Sequence, residues 1–223
     1  MGIKENIIAF KENLPSEVKV VAVSKTKSPG EILEAYHAGH KIFGENRIQE
    51  LVQKAKILPT DIEWHMVGHL QTNKVKYIAP FISLIHSVDS MKLLFAIQKE
   101  AEKNKRIQDC LFQIHIAREE TKFGLSEQEL NDILNSSEFH ELGNIRILGL
   151  MGMATFTENE QVIRNEFRYL AELFRKFKND YFKQHDYFRE LSMGMSGDYH
   201  IAIDEGSTMI RIGTIIFGER NGH

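Results

Sequence analysis

Short β-like runs alternate with helical patterns from one end of this chain to the other, and that alternation restricts its fold more than any other feature. Strands separated by helices run parallel, and a parallel sheet needs helices packed on its faces. Eight candidate strands can be read, near Lys19–Ser24, Lys41–Phe43, Glu63–Val67, Leu84–Ser87, Asp109–Ile116, Arg146–Leu150, Phe188–Ser192 and Met209–Ile212. Eight such units in 223 residues predict an α/β fold of the closed (β/α)8 TIM-barrel type. A further helix, from about Ile3 to Leu14, precedes the first strand. Little chain follows Phe217, so this additional N-terminal helix is expected to cover the seam beside the last strand.

The intervening helices carry their own signals. Asp89-Ser90 starts one whose Leu93, Leu94, Ile97 and Ala101 form an apolar stripe, and Ile163, Phe167, Leu170, Phe174 and Phe177 mark another. Such stripes are packing faces. Ser126 with Glu129 three residues on is the order of a capping box, so a helix opens there and ends before Asn135-Ser136-Ser137. With four prolines and no Ser/Gly-rich linker or repeat, residues 1–223 read as a single domain.

Charge and composition remove several functions. Lys+Arg of 28 against Asp+Glu of 31 leaves −3, with the signs interspersed, so no basic stripe points to a nucleic acid. The N-terminus lacks a signal-peptide core, Asn6 stands where a myristoylation signal has Ser or Thr, and no apolar run reaches membrane-spanning length. Cys110 is the only cysteine. No intramolecular disulfide is possible, which suits a cytoplasmic protein, and its apolar setting makes it a core thiol.

Chemistry is expected at the ends of strands. Val18-Lys19-Val20-Val21-Ala22-Val23-Ser24 ends at Lys25, before the helix start Ser28-Pro29-Gly30-Glu31. Alternation puts Val21, Val23 and Lys25 on one face, so in a closed barrel Lys25 points from the interior toward the mouth. Partial desolvation there lowers an amine's pKa and favours a Schiff base with an aldehyde, whereas an ordinary strand-end lysine is solvated. At the other end, Arg211-Ile212-Gly213-Thr214 runs from the last strand into a turn, and Leu191-Ser192-Met193-Gly194-Met195-Ser196-Gly197-Asp198 forms a small-residue loop after strand seven. Loops after strands seven and eight often bind phosphate in barrels. Gly213 permits close backbone approach, while Thr214 and Ser196 add hydroxyls, although Ser196 could equally be an N-cap. Together, the amine and the cradle suit one ligand bearing an aldehyde and a phosphate.

Six segments carry a resemblance to a known family. They are Ala22-Val23-Ser24-Lys25-Thr26-Lys27, Phe43-Gly44-Glu45-Asn46-Arg47, Trp64 through Lys74, His86-Ser87-Val88-Asp89-Ser90, Leu191 through Ser196, and Arg211-Ile212-Gly213-Thr214. In this order, across nearly the whole chain, they resemble the pyridoxal phosphate homeostasis proteins, single-domain relatives of the alanine racemase barrel. The resemblance implies pyridoxal 5′-phosphate (PLP) as cofactor, Lys25 as its Schiff-base lysine, Ser196, Gly213 and Thr214 as phosphate contacts, and Arg211 as the arginine facing the pyridine nitrogen. Asn46 and the Trp64–Lys74 segment are expected to line the ligand side of the mouth. A guanidinium at the ring nitrogen keeps it unprotonated and weakens the ring as an electron sink. Glu119-Glu120-Thr121-Lys122 and Lys122-Phe123-Gly124 resemble the family's loop after strand five, where a solvated lysine is the default. His65 and His69 have i, i+4 spacing, but on a strand and turn this predicts hydrogen bonding or packing rather than metal.

The resemblance implies a protein of intracellular PLP (vitamin B6) homeostasis that buffers or delivers the cofactor, with PLP-dependent apoenzymes as candidate recipients. Related racemases take a catalytic tyrosine from a second domain and a partner subunit, and the chain's end at His223 leads us to expect neither that domain nor two-base catalysis, and a monomer. The alternatives are a fold type III, racemase-like PLP enzyme acting on a small amino acid and a phosphosugar barrel enzyme whose Lys25 binds a carbonyl.

Overall fold

The computed structural model describes residues 2–119 and 123–219. Within them eight parallel strands close into a barrel in sequence order, with β8 pairing back onto β1. They are β1 (Lys19–Val23), β2 (Ile42–Glu45), β3 (Glu63–Met66), β4 (Leu84–Val88), β5 (Gln108–Ile114), β6 (Ile145–Gly152), β7 (Glu190–Met195) and β8 (Met209–Ile212). The expected α/β TIM barrel is the observed fold. Sequence reading misplaces β7 most, ending it at Ser192. Gly194, at φ 98°, reads as a turn, yet pairing resumes beyond it at Met195↔Arg211 through a register shift.

The strands alternate between two apolar environments. Val20 and Ala22 face outward into the core under the helices, whereas Val21 joins Val67, Leu84, Leu111, Met151 and Met209 inside the barrel. Cys110 is fully buried, and that burial pushes its thiol pKa far above the ordinary range, as befits a core residue. Gly149 marks a close approach of strands, since a Cβ there would lie 1.8 Å from the Glu190 carbonyl oxygen.

The helices are α1 (Ile3–Glu12), α2 (Pro29–His37), α3 (Ile48–Ile57), α4 (Met91–Lys103), α5 (Glu127–Asn135), α6 (Ser137–His140), α7 (Glu160–Asp180), α8 (Tyr199–Asp204) and α9 (Thr214–Phe217). The stripes read from sequence are their buried faces. Leu93, Leu94, Ile97 and Ala101 are buried on α4, and Ile163, Phe167, Leu170 and Phe177 on α7, where Phe174 stacks on Phe188 at 5.1 Å. Helix α1 packs against α2 and α9, and Asn6 Nδ2 donates to Ile216 O at 3.1 Å, so it covers the expected seam. Among the described residues no helix is long and apolar enough to cross a membrane.

Ser126 and Glu129 form the capping box of α5: Ser126 Oγ accepts from Glu129 N, while Glu129 accepts from Ser126 N at 2.8 Å. Ser126→Ala removes one half of this exchange, and urea unfolding should report a loss of about 1 kcal/mol.

Candidate functional site

The C-terminal mouth of the barrel holds an open cavity of about 490 Å3, within the size range of small-molecule sites. Lys25, Asn46, Ser196, Arg211, Gly213 and Thr214 all line it. Parallel pairing explains the convergence, because it puts every strand's C-terminal end on one face of the barrel.

Lys25 lies in the turn that follows β1, and a cluster of charged groups clamps both its neighbours. On one side, Ser24 Oγ donates to Glu45 Oε1 at 2.6 Å, while Lys54 Nζ donates to Ser24 O at 2.8 Å and to Glu45 Oε1 at 2.7 Å. On the other, Thr26 N donates to Glu50 Oε2 at 2.8 Å, and Glu50 also pairs with Lys54 at 3.3 Å. Thr26 has φ 65°, a left-handed conformation uncommon for a β-branched residue, so these contacts hold the turn in a strained shape. Burial pushes the Glu45 carboxyl above its ordinary range against the pull of Lys54 and Ser24. Burial also raises Glu50, but the Thr26 N–H and Lys54 outweigh it and leave that carboxyl below its ordinary range.

Asn46 follows β2 directly. Its backbone is approached so closely by Gly68 that a Cβ at 68 would sit 2.4 Å from the Asn46 carbonyl oxygen. The loops after β7 and β8 are joined, since Gly213 N donates to Ser196 Oγ at 3.3 Å. Ser196 is not the helix cap. Asp198 occupies the N-cap position of α8 and accepts from Met195 N at 2.6 Å. Burial raises the Asp198 carboxyl, with the Met195 N–H and Arg211 opposing.

Gly213 and Gly197 have no packing reason to lack side chains. A Cβ at 213 would come no nearer than 3.4 Å to Val23 O, and one at 197 would meet nothing within 4 Å. Both line the cavity, so a side chain there would occupy ligand space. Among the described lining residues the charged groups are Lys25, Lys27 and Arg211 against Asp198, an excess of cations that suits a phosphate. Lys27 also anchors the short helix of the cradle through Nζ to Phe217 O at 2.9 Å.

Arg211 is inward on β8 and only 4% exposed. Nη1 donates to Ser192 Oγ at 2.7 Å and Nη2 to Gly152 O at 3.0 Å. Burial lowers its pKa to about 10, so it remains cationic at neutral pH.

The two histidines noted for their spacing part company. His65 is buried inside the barrel and His69 stacks on Phe123 with centroids 4.1 Å apart. Of the Trp64–Lys74 segment, Val67 is the residue that lines the cavity among those described. Glu120, Thr121, Lys122 and His223 lie outside the described residues. Sequence reasoning missed the Ser24–Glu45–Lys54–Glu50 clamp and the polar interior formed by His65, His86 and Ser192. The inward positions Leu84 and His86, two apart on β4, were the available signal for the second.

A lysine at the tip of β1 and joined, glycine-containing loops after β7 and β8, all lining one mouth cavity, mark a barrel of the alanine racemase type. The family described as "Alanine racemase, N-terminal domain" matches residues 2–221. A "Pyridoxal phosphate homeostasis protein" of Aquifex aeolicus is 43% identical over 203 residues, 91% of this chain and 87% of that protein. One of Haemophilus influenzae is 39% identical, covering 92% and 86%. The chain belongs to the pyridoxal phosphate homeostasis protein family. The structure of PipY of Synechococcus elongatus with PLP bound is similar at a TM-score of 0.87 and 32% identity, over 97% of this chain and all of that one; its PLP-free form gives 0.90.

Proposed function

We propose that this chain is a PLP-binding protein of vitamin B6 homeostasis and that the mouth cavity is its cofactor site. The observation that carries the proposal is the meeting of an amine, a guanidinium and a glycine-lined, hydroxyl-bearing cradle in one cavity. Relatives bearing the homeostasis name and a similar structure with PLP bound support it. PLP brings an aldehyde, a phosphate and an electron-withdrawing ring. Lys25 would hold the aldehyde carbon of PLP through its Nζ amine, as a Schiff-base lysine. Ser196, Gly213 and Thr214 would hold the phosphate with hydroxyl and backbone donors, and Arg211 would serve the ring nitrogen as a donor. Asn46 lines the entrance. Arg211 keeps that nitrogen unprotonated, which favours holding the cofactor over carbanion chemistry.

In this reading residues 1–223 act as one domain, a cytoplasmic monomer that buffers PLP or passes it to apoenzymes. Borohydride reduction of the PLP-loaded protein should leave a pyridoxyl group on the peptide containing Lys25, and Lys25→Ala should lose the visible Schiff-base absorbance. A label on another residue, or full absorbance in the variant, sinks the assignment. Deuterium exchange at the α-carbon of an amino acid, faster than with free PLP, would instead assign an enzyme.

A further inference from the structure

The barrel axis contains a continuous chain of polar side chains. Arg211 Nη1 bonds Ser192 Oγ at 2.7 Å, Ser192 Oγ lies 3.0 Å from His86 Nδ1, and His86 Nε2 lies 3.0 Å from His65 Nδ1. His65 also lines a second cavity of about 280 Å3, formed with Lys19, Glu63 and Glu190 at the opposite, N-terminal end of the barrel. The chain therefore runs from one mouth to the other through residues 65, 86, 192 and 211, all four of them under 5% exposed within the closed barrel.

We infer that this is a one-way hydrogen-bond relay, running from Arg211 through Ser192 and His86 to His65, in which Ser192 and His86 are positioning residues for the guanidinium that faces the bound ligand. The direction follows from donor counting. Arg211 can only donate, so Ser192 Oγ must accept from it. Among the described residues the Ser192 hydroxyl has His86 Nδ1 as its one remaining neighbour able to accept, and a buried hydroxyl hydrogen is costly to leave unpaired. Ser192 therefore donates to His86 Nδ1. Both imidazoles are held neutral by burial: His65 falls to about 3, and His86 falls well below its ordinary value, with the neighbouring His65 and Arg211 adding to the effect. A neutral ring carries one N–H. His86 then bears its hydrogen on Nε2 and donates to His65 Nδ1, and His65 bears its own on Nε2. Reversing the direction would strand the Ser192 hydrogen.

The relay locks Ser192 as an acceptor, and with Gly152 O it fixes two corners of the guanidinium while the remaining N–H groups are left for the cavity that Arg211 lines. The positioning role rests on the PLP reading; the tautomers do not. Side-chain 15N NMR of the ligand-free protein should show both His65 and His86 protonated at Nε2 and unprotonated at Nδ1. A His86 protonated at Nδ1 overturns the relay, whatever PLP does. In the PLP-loaded protein, Ser192→Ala should weaken PLP binding about tenfold and shift the visible absorbance band, because the partner of the ring nitrogen is no longer fixed. Lys25 should still be labelled by borohydride at saturating PLP. A variant with affinity within twofold and an unmoved band overturns the positioning role. Absence of any label on Lys25 in the wild type overturns the PLP reading and leaves the NMR result to decide the relay.

Discussion

Lys54→Met should cost about 3–5 kcal/mol in unfolding free energy, because it strands a buried carboxylate and not merely one ion pair. Glu45 is fully buried, its Oε1 is held by Lys54 and Ser24, and its Oε2 has no partner among the described residues. Without the ammonium, Glu45 can escape an uncompensated charge only by taking up a proton. Its folded pKa, already raised by burial, then rises further above the unfolded value. Such a group contributes stability below the unfolded pKa and loses it as pH rises through the folded pKa. The variant should therefore be closest to wild type near pH 5 and furthest from it near pH 8, and Glu45→Gln added to Lys54→Met should recover part of the loss at the higher pH. Urea titrations at the two pH values test this. A deficit that does not change with pH would show that Glu45 is not the stranded group. The same variant should also loosen the Lys25 turn, since Lys54 holds Ser24 O and braces Glu50, which in turn holds Thr26 N.

That clamp shows where sequence reading stops. Each strand and helix is a local pattern, so alternation located β1 through β8, and Ser126 with Glu129 located the start of α5. The mouth residues were legible for a related reason. In a parallel barrel the position just past each strand is a site position by topology, so Lys25, Ser196, Gly213 and Thr214 could be placed without knowing any contact. The residues that hold them in place could not. His86 and Ser192 are 106 positions apart and meet only across the closed barrel. Glu45 and Lys54 lie on a strand and the helix after it, at a spacing of nine, which no single helix or strand period brings together. Even Ser196 read ambiguously, as cap or cradle, until Asp198 took the cap and left Ser196 bonded to Gly213.

Gly213→Val should weaken PLP binding about 100-fold with little change in folding stability. Gly213 is in the αR region at φ −114°, open to L-residues, and its Cβ position meets only Val23 atoms, at ordinary contact distance. Valine therefore strains neither backbone nor packing at its Cβ, and its methyls take up space at the cavity wall. There they exclude the phosphate from the backbone N–H that now donates to Ser196 Oγ. Ser196→Ala removes one hydroxyl from the same cradle without filling it, and the smaller loss of a single charge-assisted hydrogen bond, about tenfold, should follow. The order of the two effects carries the argument. A steric block exceeds a lost donor only where the ligand's anionic group lies against the backbone, so the reverse order would move the phosphate away from residue 213. Inorganic phosphate offers a check that does not require Lys25: it should compete with PLP in the wild type and in Lys25→Ala, and lose that ability in Gly213→Val. An unchanged urea midpoint in Gly213→Val, measured without ligand, would attribute the loss to the cradle rather than to the fold.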